Sequence, residues 1–162
     1  MHYLTDTNLN WQLIADKESK LKKLSDLSDK IVAMTRYSGT DLLTDMVVKK
    51  AKPKYQVFRV QVNDVLVRLA MLQNHEIDAY WFAEPQVTKA LAGDNNALFN
   101  SQDAGVHLGV VAVMDKVRRQ EEEAAFASAY DKAVELINKN GVKYYSALIQ
   151  KYMKVDEAVV RS

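Results

Sequence analysis

Residues 31–51 read IVAMTRYSGTDLLTDMVVKKA, and the hydrophobic period changes partway along them. Ile31 to Met34 is a short apolar run with the length and β-branched bias of a buried strand. Thr35 to Thr40 forms a polar elbow, beyond which Leu42, Leu43, Met46, Val47 and Ala51 recur at helical spacing. The stretch is therefore a strand, an elbow and a helix. Ser38 with Asp41 three residues on has the form of a capping box, and Tyr37 with Leu42 that of a hydrophobic staple. A helix N-terminus of this kind presents unpaired N–H groups and a partial positive charge, which suits a polar or anionic group of a ligand. The same residues also serve simply to stop a strand and start a helix.

Working outward, the pattern repeats twice. Lys52-Pro53-Lys54 breaks the helix, Tyr55 to Val62 reads as a strand, and Asn63-Asp64 stands at the N-cap of a helix carrying Val65, Leu66, Leu69, Ala70 and Leu72. Ile77 to Phe82 is a third strand, and Glu84-Pro85 opens a third helix, Gln86 to Leu91. Three such units in succession imply right-handed crossovers and a mostly parallel sheet covered on both faces, an α/β three-layer sandwich. Before them, Trp11 to Ala15 reads as a strand and Leu24 to Leu27 as a helical turn. After them come a short edge strand at Ala97 to Phe99 and a longer one at Val106 to Met114. Lys116 to Asn140 is then one long amphipathic helix whose stripe is Phe126, Ala129, Tyr130, Ala133, Val134 and Ile137, closed by Gly141. Tyr144 to Tyr152 makes a second helix, completing a C-terminal helix pair.

Composition narrows the function classes. With 22 basic and 21 acidic residues the formal net charge is +1, and no stretch concentrates Lys and Arg among aromatics, so nucleic acid is not an expected partner. No apolar run reaches the roughly 18 residues of a membrane helix. No export leader is legible at the N-terminus. The chain has no cysteine, which excludes disulfides and thiolate metal sites.

In a parallel α/β sheet, ligands bind at the carboxyl ends of the strands. That rule gathers three elbows distant in sequence, and from them the expected ligand-binding residues are Arg36, Tyr37, Ser38, Gly39, Thr40, Asn63, Glu84 and Gln86, with Asp64 beside them. No catalytic residue, metal site or cofactor is expected. Ser38 has no histidine near it in sequence, and His2, His75 and His107 fit no metal-ligand spacing. Asp78, near the start of its strand and away from the rim, reads as structural. Glu84 is either a ligand contact or a cap for the helix after Pro85. Tyr80, Trp81 and Phe82 alternate faces, and at least one face is core.

The segments KIVAMTRYSGTD (residues 30–41) and FRVQVNDVLVRLAMLQNHEIDAYWFAEPQ (residues 58–86) together resemble the second lobe of a periplasmic substrate-binding protein of an ABC transporter. The nearest likeness is to the group binding thiamine precursors, nitrate and sulfonates. AYDKAVELINKNG (residues 129–141) is similar to the return of such a chain to its first lobe. The likeness covers roughly residues 10–153 and rests on the order of several motifs. It implies a type II periplasmic binding protein-like lobe, divided as a first-lobe remnant and hinge (1–30), a complete α/β lobe (31–114) and C-terminal helices returning to an incomplete first lobe (115–162). It also implies a bilobed parent closing on a small polar solute without turnover, a membrane permease as partner, and a periplasmic or membrane-anchored location on the outer face of the inner membrane. The chain resembles a family member without its N-terminal portion, so we expect it to dimerise through residues 116–153 and to bind solute weakly. Two other readings share the architecture: an enzyme, such as a pyrimidine-precursor synthase or a lyase using Glu84 with Asp64, and the effector-binding domain of a transcriptional regulator.

Overall fold

The computed structural model describes residues 2–7, 9–106 and 108–161. The chain runs β1 (His2–Thr7), β2 (Trp11–Ala15), β3 (Ile31–Met34), α1 (Gly39–Ala51), β4 (Phe58–Gln61), α2 (Val65–Gln73) and β5 (Ala79–Ala83). It continues as α3 (Gln86–Leu91), β6 (Asn96–Asn100), β7 (Gly109–Val113), α4 (Gln120–Asn140), α5 (Ser146–Met153) and α6 (Glu157–Arg161). Two units result, one of residues 10–106 and one of residues 1–9 with 107–162.

In the first unit five strands lie in the order β4-β3-β5-β2-β6. β3 pairs parallel with β4 and with β5, while β2 pairs antiparallel with both β5 and β6. Four of the five strands therefore point the same way, with β2 reversed among them. β5 lies between β3 and β2 and is buried along its whole length, which is why AYWFA has no alternation of polar and apolar residues. Its side chains still alternate in direction. Tyr80 and Phe82 pack with Ile14, Ala33, Leu69, Leu72, Val87 and Ala90, on the side covered by α2 and α3. Trp81 points the other way, where its indole donates to Thr44 Oγ1 on α1 at 2.9 Å. Helices thus cover both faces, the three-layer arrangement read from the sequence.

Several expected boundaries move, for local reasons. β5 begins at Ala79 because Ile77 and Asp78 are turned into other bonds: Ile77 N–H donates to the Tyr80 hydroxyl, and Asp78 accepts from Ser19 Oγ and from Ile31 N–H. β4 begins at Phe58 because the Tyr55 N–H is held by Ser28 Oγ. The long helix starts at Gln120, after a 3-10 turn at Asp115–Val117 and an extended Arg118. Trp11 to Ala15 belongs to the 10–106 unit, so that unit begins well before residue 31, and the strand at Gly109–Val113 lies outside it.

The second unit is built on a strand with no counterpart in the sequence reading. β1 pairs antiparallel with β7 in a two-stranded sheet. α4 ends at Gly141 with φ of 78°, a conformation in which glycine meets no Cβ clash. Much of its stripe remains exposed. Phe126, Val134 and Ile137 on α4 and Leu148 and Tyr152 on α5 are all exposed. Among the described residues no helix is long and apolar enough to cross a membrane.

Candidate functional site

β4, β3 and β5 are neighbours with a common direction, so the elbows that follow them share one edge of the sheet, spaced by about 4.8 Å per strand. From β3 the chain crosses to β4 on one side, and from β4 it crosses to β5 on the other. The strand order therefore reverses at β3 and β5, the place where open α/β sheets leave a crevice for ligands.

The elbow after β3 is more tightly self-bonded than its sequence suggests. Ser38 is the N-cap of α1: its hydroxyl donates to the Thr35 carbonyl at 2.7 Å and accepts from Thr40 N–H at 3.2 Å. The Ser38 carbonyl takes the N–H groups of Asp41 and Leu42. Thr40, 2% exposed, accepts from Thr35 N–H through Oγ1 at 3.0 Å. Ser38 and Thr40 are thus braces of the elbow, and much of the helix N-terminus is already satisfied. Asp41 reaches past the cap to accept from Tyr37 N–H at 2.9 Å, one residue earlier than a capping box requires. The staple does not form. Tyr37 has φ of 58° and its side chain is 93% exposed, with Arg36 over its ring at 5.5 Å.

Asp41 is also the electrostatic centre of this elbow. Its other oxygen pairs with Arg59 Nη1 at 3.0 Å, and Arg36 Nε stands 3.8 Å away. The Tyr37 N–H above all, with Arg59 and Arg36 adding to it, holds its carboxyl below the ordinary value, while burial opposes them. A carboxylate depressed by folding adds stability that is complete above its unfolded value, near pH 4, and is lost as pH falls through the folded value. Asp41→Asn is therefore expected to flatten the loss of stability below about pH 4 in urea titrations. Equal slopes for both proteins in that range would show that the carboxylate contributes nothing.

At the β4 elbow, Asp64 caps α2 by accepting from Leu66 and Val67 N–H groups, and Asn63 accepts from Gln61 Nε2 at 3.1 Å. At the β5 elbow, Glu84 Oε2 accepts from both the N–H and the hydroxyl of Thr88, so the capping role is realised. Gln86 is half-buried at the start of α3. Arg36, Tyr37, Asn63, Glu84 and Gln86 thus belong to elbows that share one edge of the sheet, with Gly39 opening α1 behind them.

Sequence reasoning missed what β2 brings. Being antiparallel, β2 starts where its neighbours end, so Asn10 and Trp11 reach the same edge, opposite Ala83. Trp11 N–H donates to the buried Ser101 Oγ at 2.9 Å, and that hydroxyl donates to Asn10 Oδ1 at 3.3 Å. Only knowledge of the pairing could have gathered these residues. It also missed Arg68 on α2, which is 3% exposed and donates from Nη1 to the Trp81 carbonyl at 2.6 Å. Burial lowers its pKa, with Asp64 opposing. A buried arginine in a helical stripe of Leu and Val was the available signal.

A groove of about 800 Å³ lies to one side, at the β4 edge, bounded by Val48, Lys52, Tyr55, Phe58 and Arg59. Of the rim residues only Arg36 reaches it. Of the histidines, His107 and the side chain of His2 lie outside the described residues, and His75 Nδ1 is 2.8 Å from Asp16 at the opposite end of the strands. Among the described residues no group of His, Asp or Glu could hold a metal ion.

The family described as "NMT1/THI5 like" matches residues 3–142. Among solved structures, the periplasmic aliphatic sulphonate binding protein SsuA from Escherichia coli superposes with a TM-score of 0.71 at 19% identity, over 95% of this chain and 50% of its own. A putative periplasmic sulfonate-binding protein SsuA from Methylobacillus flagellatus KT gives 0.67 at 24% identity, over 96% and 49%. The ligand binding component of an ABC-type import system from Staphylococcus aureus gives 0.69 at 20%, over 96% and 55%. The chain thus spans about half the length of these structures, and the likeness carries the fold. No curated protein sequence matches.

Proposed function

The chain belongs to the NMT1/THI5-like family, and from that premise we propose that it is a solute-binding component of an ABC-type uptake system, holding a small polar solute at the carboxyl ends of its strands without turnover. The observation that carries this reading is the reversal of strand order at β3 and β5, with exposed polar side chains of three elbows on that one edge. The ligand-binding residues are Arg36, Tyr37, Asn63, Glu84 and Gln86, with Ser38, Gly39 and Thr40 shaping the elbow behind them. Binding is favoured over acid–base chemistry because the carboxylates of Asp64 and Glu84 are both engaged in helix caps. A membrane permease is the partner and the periplasm the compartment, in keeping with the periplasmic proteins of like fold.

The exposed stripe on α4, with α5 behind it, borders an apolar groove of about 320 Å³ between Leu136, Ile137, Val142, Leu148 and Ile149. Apolar surface on this scale marks an interaction site, and a two-fold contact between copies is the common solution. A homodimer through residues 116–153 is part of the proposal.

One set of measurements tests both parts. Melting the chain with excess small anions, sulfonates or pyrimidines is expected to raise Tm for one class. A solute at ten times its Kd adds about 1.4 kcal/mol, equivalent to roughly 3–5 °C for a chain of this size. No shift with any class would overturn the solute reading. Light scattering is expected to show a dimer that Ile137→Glu dissociates, and a wild-type monomer at every concentration would overturn the dimer.

A further inference from the structure

Resting on the reading of the carboxyl edge as a solute site, we propose that Arg68 is its specificity-determining charge: a guanidinium held beneath the crevice between β3 and β5, favouring a solute group that carries negative charge over an uncharged group of the same shape. The argument starts from the ladder. β3 and β5 pair at Val32 with Ala79 and at Ala33 with Tyr80, and no further. Asp16 N–H bonds the Asp78 carbonyl across the β2–β5 pair, and backbone groups alternate in direction along a strand. The Trp81 carbonyl therefore faces β3.

Were the ladder continued, the Thr35 N–H would meet that carbonyl. Thr35 N–H is instead turned into the elbow, bonded to Thr40 Oγ1 at 3.0 Å, and Arg68 Nη1 takes the Trp81 carbonyl in its place. The guanidinium consequently fills the opening where the two strands part, one helical turn below the Asp64 cap. It is an unusual occupant. Five N–H donors are carried on a side chain 3% exposed, and Nε, shut away from solvent, has no hydrogen-bond partner among the described residues.

Among the described residues no carboxylate forms a salt bridge with it. Asp41 is paired with Arg59 and Arg36, while the Asp64 and Glu84 oxygens named above are occupied by helix caps. Asp64, one turn away, compensates the charge only in part, since burial still outweighs it; a buried charge so compensated is costly to keep, and its field in a poorly screened crevice acts on whatever enters. Arg68 stays in the wall while Arg36, Asn63 and Gln86 meet the solute. Its part is to set which charge the crevice accepts, and to hold the end of β5.

The test uses methanesulfonate and dimethyl sulfone, an anion and a neutral molecule of nearly the same shape, with the full 162-residue chain. Saturation-transfer NMR reads binding in the millimolar range. Wild type is expected to favour methanesulfonate, Arg68→Gln to reduce that preference about tenfold, and Arg68→Lys to retain most of it. A folded Arg68→Gln protein with the wild-type ratio overturns the proposal. So does a wild-type chain that binds both probes equally, which keeps the test decisive if Arg68→Gln does not fold. A wild-type chain that binds neither probe, nor any solute in the melting screen, removes the solute-site reading itself.

Discussion

Trp81→Ala is expected to destabilise the 10–106 unit by about 3–5 kcal/mol, the range for removing a large aromatic side chain from a close-packed core. The indole is 0% exposed and meets the Phe99 ring edge-on at a centroid distance of 6.1 Å. Its N–H donates to Thr44 Oγ1, and that hydroxyl donates in turn to the Thr40 carbonyl at 2.7 Å. The substitution thus opens a cavity and loosens the link between β5 and the first turns of α1. Domains of this kind are stable by some 5–15 kcal/mol in total, so the variant should unfold at much lower urea concentration or be unfolded outright. Trp81→Phe keeps most of the volume and loses the hydrogen bond, and should cost clearly less. Far-ultraviolet circular dichroism in urea gives both values. A loss below about 1 kcal/mol for the alanine variant would mean that the indole does not organise this face.

Asp78→Ala should give the second largest loss, about 2–3 kcal/mol, by a different route. One carboxylate oxygen accepts from Ser19 Oγ and pairs with Lys30 at 3.3 Å, while the other accepts from the Ile31 N–H. Asp78 thereby ties the 3-10 turn at Lys17–Ser19 to the first residue of β3 and to the start of β5. Removing it leaves the Ile31 N–H and the Ser19 hydroxyl without their acceptor. Asp78→Asn retains one acceptor oxygen and should fall between. If urea unfolding showed the alanine variant within about 0.5 kcal/mol of wild type, the structural role assigned to this carboxylate would be withdrawn.

The strand, elbow and helix units were legible because local rules govern them: a change of period at Thr35, an N-cap at Ser38, another at Asp64. The structural role of Asp78 followed from its place at the start of a strand. What local rules could not supply was partnership. Trp11 to Ala15 read as a strand, yet its position between β5 and β6, and its reversed direction, depend on pairings with residues far along the chain. β1 was passed over because HYLTDT carries only weak alternation and exists as a strand through β7. At the candidate site the elbows read from the sequence share one edge of the sheet. Their bonding was less visible: the capping box became a contact from Tyr37 N–H to Asp41, and Arg68 was hidden because helical periodicity records which face is inward, not what a charge does there.

The reversed strand in the sheet also bears on how the protein is made. Synthesis releases β2 before either of its neighbours, of which one is β5 and the other β6, whose following residue, Ser101, lies ninety positions beyond Trp11. Until those strands leave the ribosome, both edges of WQLIA are open, and Leu13, Ile14 and Ala15, buried in the finished sheet, lack the strands that flank them. Such non-local closure is slow, and an apolar strand with two free edges is a template for association between nascent chains. Chains halted before about residue 100 should accumulate as aggregates, and a chaperone that shields extended apolar segments should help this protein most during that interval.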